Sequence, residues 1–355
     1  MKNKLQTYLF CLAVLSFASC EREKDESTSP LPDNLNGVFI VNEGAFLAGN
    51  ASVSFFSSDS AYSTSDIFEA ANGFPVGDIL QSMTIYNNRA FLCVNNSQKV
   101  EVVSMGDFKK TGTIFGANSP RFFCGWNASR GFISDWSTNK VYLINLNSLS
   151  IIDSIACGQG PEQMLIDNNK LFICNSGGFT DDSTITVVDV NTLNIITEIP
   201  CGVNPASICK DANGKIWVMC RGSLGSDFTP TPDDPGGRLL KIDPSSLNIE
   251  LAISFVFDQH PLKLTMNSGK DTLYYLKGSS TYTGQVFKMG INDIYDPVIP
   301  FIEREMYALG IHPGGTIYTG KASFSSNSQM YRFSNDGTLL DSAEVGIGPN
   351  SFVFH

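Results

Sequence analysis

Residues 144–155 (INLNSLSIIDSI), 188–199 (VDVNTLNIITEI) and 242–253 (IDPSSLNIELAI) repeat one pattern: a strand, an Asn/Asp-led turn, and a second strand. Internal repetition at a period of roughly forty residues marks an array of one supersecondary unit that cannot bury its apolar face alone. Aligned outward from these stretches, units begin near Gln81, Pro120, Pro161, Pro205, Pro261 and Met306. Each opens with an apolar segment, turns through a polar hairpin and continues into a second β-rich strand. The hairpins lie at 86–89, 126–130, 167–170, 211–215, 267–270 and 312–315, and are rich in Asn and Gly, which tolerate the positive φ of tight turns. The ends are complementary. GIGPNSFVFH (346–355) opens a unit and stops after one strand, whereas VFIVN (38–42) starts at a second strand. Joined, they make a seventh unit and remove the free sheet edges. The chain is therefore expected to be an all-β, seven-bladed β-propeller whose terminal strands close one shared blade. Six or eight blades would follow if the stretched units 205–255 and 261–302 were miscounted. Period-two alternation rich in Val, Ile, Phe and Tyr argues against an α-solenoid.

Ahead of the repeats, Lys2 and Lys4 followed by the apolar run 8–17 have the form of a secretory signal, too short to span a bilayer as a helix. The run ends in Phe17-Ala18-Ser19-Cys20, small residues before a cysteine, as in a bacterial lipobox. The expected organisation is a signal over 1–19, a lipidated Cys20 with a charged, Ser/Pro-rich tether over 20–35, and the propeller over 36–355. Lys24-Asp25-Glu26 resembles the acidic signal that sends some lipoproteins to the outer face of the outer membrane.

Removing Lys2 and Lys4 leaves 22 of the 24 basic residues against 35 acidic ones, a net charge of −13. Such a surface disfavours nucleic acid and anionic membrane as partners, apart from attachment through the lipid. Seven cysteines remain beyond the signal and the anchor (93, 124, 157, 174, 201, 209 and 220), an odd number that argues against a complete disulfide framework and for buried thiols. His260, His312 and His355 fall in different units without metal-ligand spacing, so no metal site is expected from them. Asp181-Asp182 and Asp227 with Asp233-Asp234 offer oxygens for Ca²⁺ but lack EF-hand spacing, which favours solvated loop charge. With no nucleophile elbow and no phosphate-cradling glycine loop before a helix, a non-catalytic protein is expected.

In a propeller of this kind the blade connections and the loop after each unit's second strand emerge on one face. That loop is long at 42–52, 175–184, 277–285 and 321–329 and longest at 221–238, while the opposite hairpins stay tight. Long loops on one face of a rigid scaffold suggest a binding face. The residues closing the second strands form a candidate polar ring of Asn42, Asn95, Asp135, Asn175, Arg221, Lys277 and Lys321. A shift of one residue would put Val94 in place of Asn95, and Lys321 follows Gly320. Asn and Asp also serve there as caps of their own loops. The three cations favour an anionic ligand group. Phe46, Trp136, Phe179, Phe228, Tyr282 and Phe324 lie on the same loops and suit a flat ligand with polar edges.

The unit running from Pro161 through LFICNSG and ITVVDVNTLNIITEI resembles the YncE-like, YVTN-type propeller repeat over most of the mature chain. A signal with lipobox, the opening VFIVNEGAFLAGNASVSFF and the Gly-Gly-Phe loop after Asn175 are similar to surface lipoprotein propellers of gut anaerobes. One branch of these captures vitamin B12 and related corrinoids for a TonB-dependent outer-membrane transporter of the BtuB type. The resemblance implies a lipid-anchored, outer-membrane corrinoid-binding protein with no cofactor of its own beyond the captured cobalamin. Glycan binding, a propeller lyase or lactonase, and a pure docking scaffold are the alternatives.

Overall fold

Seven four-stranded antiparallel sheets form the chain in the computed structural model, which describes residues 37–57 and 62–355. The signal, Cys20 and the tether lie outside the described residues. Blade 1 has the order Pro349–Phe354, Gly37–Asn42, Ser52–Ser57, Tyr62–Thr64, so both chain ends meet in it. Its pairing runs from Val38 opposite Phe354 to Asn42 opposite Pro349. Blades 2 to 7 open at Leu80, Pro120, Pro161, Pro205, Leu262 and Ala308, within two residues of the expected starts. Each innermost strand touches those of both neighbouring blades, including Pro349–Phe354 against Leu80–Tyr86, which closes the ring. The count of seven stands because the stretched units 205–255 and 261–302 add loop, not strands.

Alternation explains the stacking. In Arg89–Val94, Ala90, Leu92 and Val94 pack toward blade 1, while Phe91 and Cys93 pack toward blade 3. Strand residues alternate between faces, so every blade is apolar on both sides. Seven apolar clusters result, one at each blade interface. The hairpins behave as their residues require: Asn87, Asn88, Asn168 and Asn169 all have φ between 46° and 63°. All seven described cysteines are free, and burial pushes the thiols of Cys93, Cys124, Cys157 and Cys209 up to about 12. The one described helix is Ile67–Asn72, and no described helix is long and apolar enough to cross a membrane.

Candidate functional site

The innermost strands of six blades slip register near their first residues: between Leu80 and Ser82, Pro120 and Phe123, Pro161 and Met164, Pro205 and Ser207, Leu262 and Thr265, and opposite Val41 and Asn42. A bulge leaves one residue without a ladder partner and re-aims its side chain. Gln81, Arg121, Glu162, Ala206, Lys263 and Asn350 occupy these slips. Tyr307, whose N–H donates to Gly320 O at 2.7 Å just before the inner strand of blade 7, takes the seventh place. These seven residues, one per blade, line a single cavity of about 230 Å³ at the mouth of the central channel. Glu43, Trp136, Arg221 and Tyr282 complete it from the second-strand loops, so the cavity lies on the loop face. A second cavity of about 390 Å³ shares Tyr282 and Tyr307 with it and reaches Lys321 and Phe324.

The throat is heavily ionic. Arg121 and Glu162, 8% and 7% exposed, form a two-pronged pair at 2.8 and 2.6 Å. The Arg121 guanidinium lies 3.6 Å from the centre of a Trp136 ring, a cation–π stack that fixes both side chains. Glu43 Oε2 accepts the Tyr307 hydroxyl at 2.6 Å. Burial pushes the Glu43 carboxyl above its ordinary range against the opposing charge of Lys263, and raises the Tyr307 hydroxyl well above its own. Lys263 Nζ donates to Asn350 O at 3.0 Å and to Asn350 Oδ1. Burial holds both Lys263 and Arg221 below their ordinary values. Arg221 is positioned from behind by His260, fully buried, whose Nδ1 lies 3.0 Å from Arg221 O.

The residues expected from sequence fall into four groups. Asn42 and Asn175 are fully buried and donate to Ser52 and Ser54, and to Thr184 and Thr186, across their own blades. Asp135 accepts from Ser119 N and Thr138 N, and Asn95 donates to Ser119 Oγ. These four tie loops to strands. Lys277 turns into blade 6, paired with Asp296 at 2.5 Å and lying 3.9 Å from the centre of the Phe287 ring, away from the channel. Arg221, Trp136 and Tyr282 line the throat, and Lys321 lines the neighbouring cavity. Phe179 stands edge-on to Trp136 and is 93% exposed; like the exposed Phe46 and Phe228, it lines neither cavity.

The expected polar ring is not one ring. Residues paired with the first position of an inner strand are Asn42, Val94, Asp135, Asn175, Cys220, Leu276 and Gly320. Asn95, Arg221 and Lys277 each come one residue later, and a one-residue shift sends a side chain to another face. The inner ring has no repeat signature of its own, although six of its members lie within two residues of a unit start and Asn350 follows Pro349 in the closing stretch. In five of the seven blades a proline at the start of the inner strand was its signal; the bulge that turns a residue inward has none.

Sequence residues 36–309 match the pattern described as "Domain of unknown function (DUF5074)". No curated protein matches the chain in sequence. Among solved structures it is similar to a quinonprotein alcohol dehydrogenase-like protein from Bacteroides thetaiotaomicron, at 16% identity and TM-score 0.66, covering 90% of this chain and 78% of that one. A putative 6-phosphogluconolactonase from Bacteroides fragilis matches at 10% identity and TM-score 0.63, covering 90% and 98%. Hydrazine synthase of Kuenenia stuttgartiensis matches at 12% identity and TM-score 0.58, covering 76% and 87%. At these identities the likeness is one of fold. It nonetheless overturns the expectation of a non-catalytic protein, which rested on missing motifs: propellers bearing enzyme descriptions share this scaffold, so those absences exclude nothing. By its match over most of its length, the chain belongs to the DUF5074 family of β-propellers.

Proposed function

We propose that the protein binds a corrinoid across the loop face, over the mouth of the channel, and delivers it to a TonB-dependent outer-membrane transporter of the BtuB type. In this reading it acts in the manner of BtuG, the vitamin B12-capturing propeller, from a lipid anchor on Cys20. The observation that carries the binding step is the aromatic rim. Tyr282 and Phe324, 54% and 48% exposed, line the two neighbouring cavities, and Phe179, 93% exposed on a third loop, stands edge-on to the Trp136 that lines the first. Trp136 and Tyr307 back two of them edge-on at 5.8 and 5.6 Å. Large exposed rings held by a second ring are costly to leave in water and suit a broad flat ligand. A cavity of about 230 Å³ is too small to take a corrin ring, so the disc lies on the rim.

Isothermal titration of the chain starting after Cys20, with cyanocobalamin and with cobinamide, tests this. Saturable one-to-one binding of both is expected, weakened at least tenfold by Tyr282→Ala or Phe179→Ala, the loss of roughly 1.4 kcal/mol of ring contact. Absence of heat and of a thermal shift with either corrinoid would overturn it and bring oligosaccharides forward.

A further inference from the structure

The floor of the cavity holds more positive charge than it neutralises. Three cations, Arg121, Arg221 and Lys263, face two carboxyls, Glu43 and Glu162. Arg121 and Glu162 satisfy each other through two hydrogen bonds. Glu43 is engaged by a neutral phenol and Lys263 by a neutral amide residue. Arg221 is left over. Its Nε has no hydrogen-bond partner among the described residues, and none of their carboxylates forms an ion pair with it. Trp136 Nε1, in the same cavity wall against Arg121, is also buried without an acceptor. A shielded cation without a counter-charge is costly, and so is a buried N–H without an acceptor. The strongly acidic composition of the rest of the chain makes this cationic floor the more unusual.

We propose that the throat is a subsite for a single oxyanion, a phosphodiester or a carboxylate, held by the Arg221 guanidinium with Lys263 of the neighbouring blade. One negative charge balances three cations and two carboxylates. A planar guanidinium presents paired donors that fit two oxygens of either group. A cation would meet net positive charge there, and a neutral ligand would leave Arg221 unpaired. His260, clamped to the Arg221 backbone, holds the donor in place. The subsite deepens the rim-binding reading, as the place where an anionic arm of the bound ligand descends, but its chemistry does not depend on that ligand being a corrinoid.

Titration of the chain starting after Cys20 with diethyl phosphate, acetate and neutral triethyl phosphate, followed by ³¹P and ¹³C NMR line-broadening, tests it without any corrinoid. Both anions are expected to bind saturably and triethyl phosphate not at all. Arg221→Gln and Lys263→Met should each weaken the anions about tenfold or more, whereas Lys109→Gln, at an exposed position of blade 2 remote from the channel, should not. The tighter anion identifies the source, a phosphodiester arm or a carboxylate-bearing ligand. Equal binding of triethyl phosphate would overturn the proposal. So would unchanged anion binding in an Arg221→Gln protein that melts like wild type. Should that variant fail to fold, Lys263→Met decides by the same measure. A failure here with intact corrinoid binding removes the subsite and leaves the rim.

Discussion

The turn that repeats along the chain is built by one carboxylate or amide and one strained leucine. Asp189 Oδ1 accepts the N–H groups of Asn191 and Thr192 at 2.8 and 3.0 Å; Asn145 does the same for Asn147 and Ser148, and Asp243 for Ser245 and Ser246. The chain then passes through Leu149, Leu193 and Leu247 at φ 52°, 60° and 63°. Left-handed backbone costs a residue with a Cβ roughly 1–2 kcal/mol. Packing of these leucines against the clusters of blades 2 and 3, 3 and 4, and 4 and 5 offsets it. Gly112 leaves room for the first, since a Cβ there would lie 2.3 Å from Leu149 Cδ1. The N–H groups of Thr192 and Asn191 hold the Asp189 carboxyl below its ordinary value of 3.8. A depressed folded pKa contributes stability that is present above the unfolded value and lost as pH falls through the folded one. Asp189→Ala should therefore lower the thermal midpoint near neutral pH, with the gap closing in acid, while Asp189→Asn keeps an acceptor and most of the stability. A gap independent of pH would show that the turn does not use the charge. The turn itself was legible from the sequence, because Asn and Asp at its head are the residues that cap backbone N–H groups. The leucine backbone was not, because its strain is offset by contacts with a neighbouring blade.

At the scale of strands and loops, position along the chain was legible and direction was not. The long loops were placed on one face, yet Lys277, read as a second-strand cation of the ligand ring, is 4% exposed inside blade 6. The extra length that draws its partner in comes from residues 291–301, a third-to-fourth-strand connection whose Asp296 takes Lys277 Nζ at 2.5 Å and the Tyr275 hydroxyl at 2.6 Å. Nineteen residues separate Lys277 from Asp296, and no local pattern announces the pairing. The contact pins a loop whose Ile294, Tyr295, Val298 and Ile299 are otherwise exposed. Asp296→Ala strands a buried ammonium and a buried phenol, and should cost ~3–5 kcal/mol in denaturant unfolding, the usual loss when one partner of a buried pair is removed. The loop should also become the first site of limited proteolysis. Adding Lys277→Met should restore much of the loss, because an apolar chain of similar volume carries no charge to strand. A single variant as stable and as protease-resistant as wild type would mean that the apolar side chains, not the ion pair, hold the loop. The inward ring escaped the sequence for the same reason: a bulge is a property of two strands, and only their register reveals it.

For the whole molecule, the blade count followed from the two incomplete ends, and closure is the property most open to test. Every apolar cluster joins two consecutive blades, so no blade has a complete core by itself. The cluster between blades 7 and 1 includes Phe352 from the last strand with Val38 and Ile40 from the first and Tyr318 from blade 7. The same strand gives Asn350 to the throat, where its Nδ2 donates to Gln81 O of blade 2 at 2.7 Å. Deleting residues 346–355 removes the inner strand of blade 1, exposes the edge of Gly37–Asn42 and opens that cluster to water. Unpaired edges beside apolar surface template further pairing between chains. The truncated protein is expected to lose its cooperative thermal transition and to elute from size-exclusion chromatography as aggregate. A circular permutant that links residue 355 to residue 37 and opens the exposed Asn168-Asn169 hairpin keeps every blade interface, and is expected to remain monomeric and to melt cooperatively. If the truncated chain instead melts as the full one does, the ring is held by its six other interfaces and the shared blade serves only to complete the throat. If the permutant also fails, the order in which the strands are joined, and not closure, governs folding.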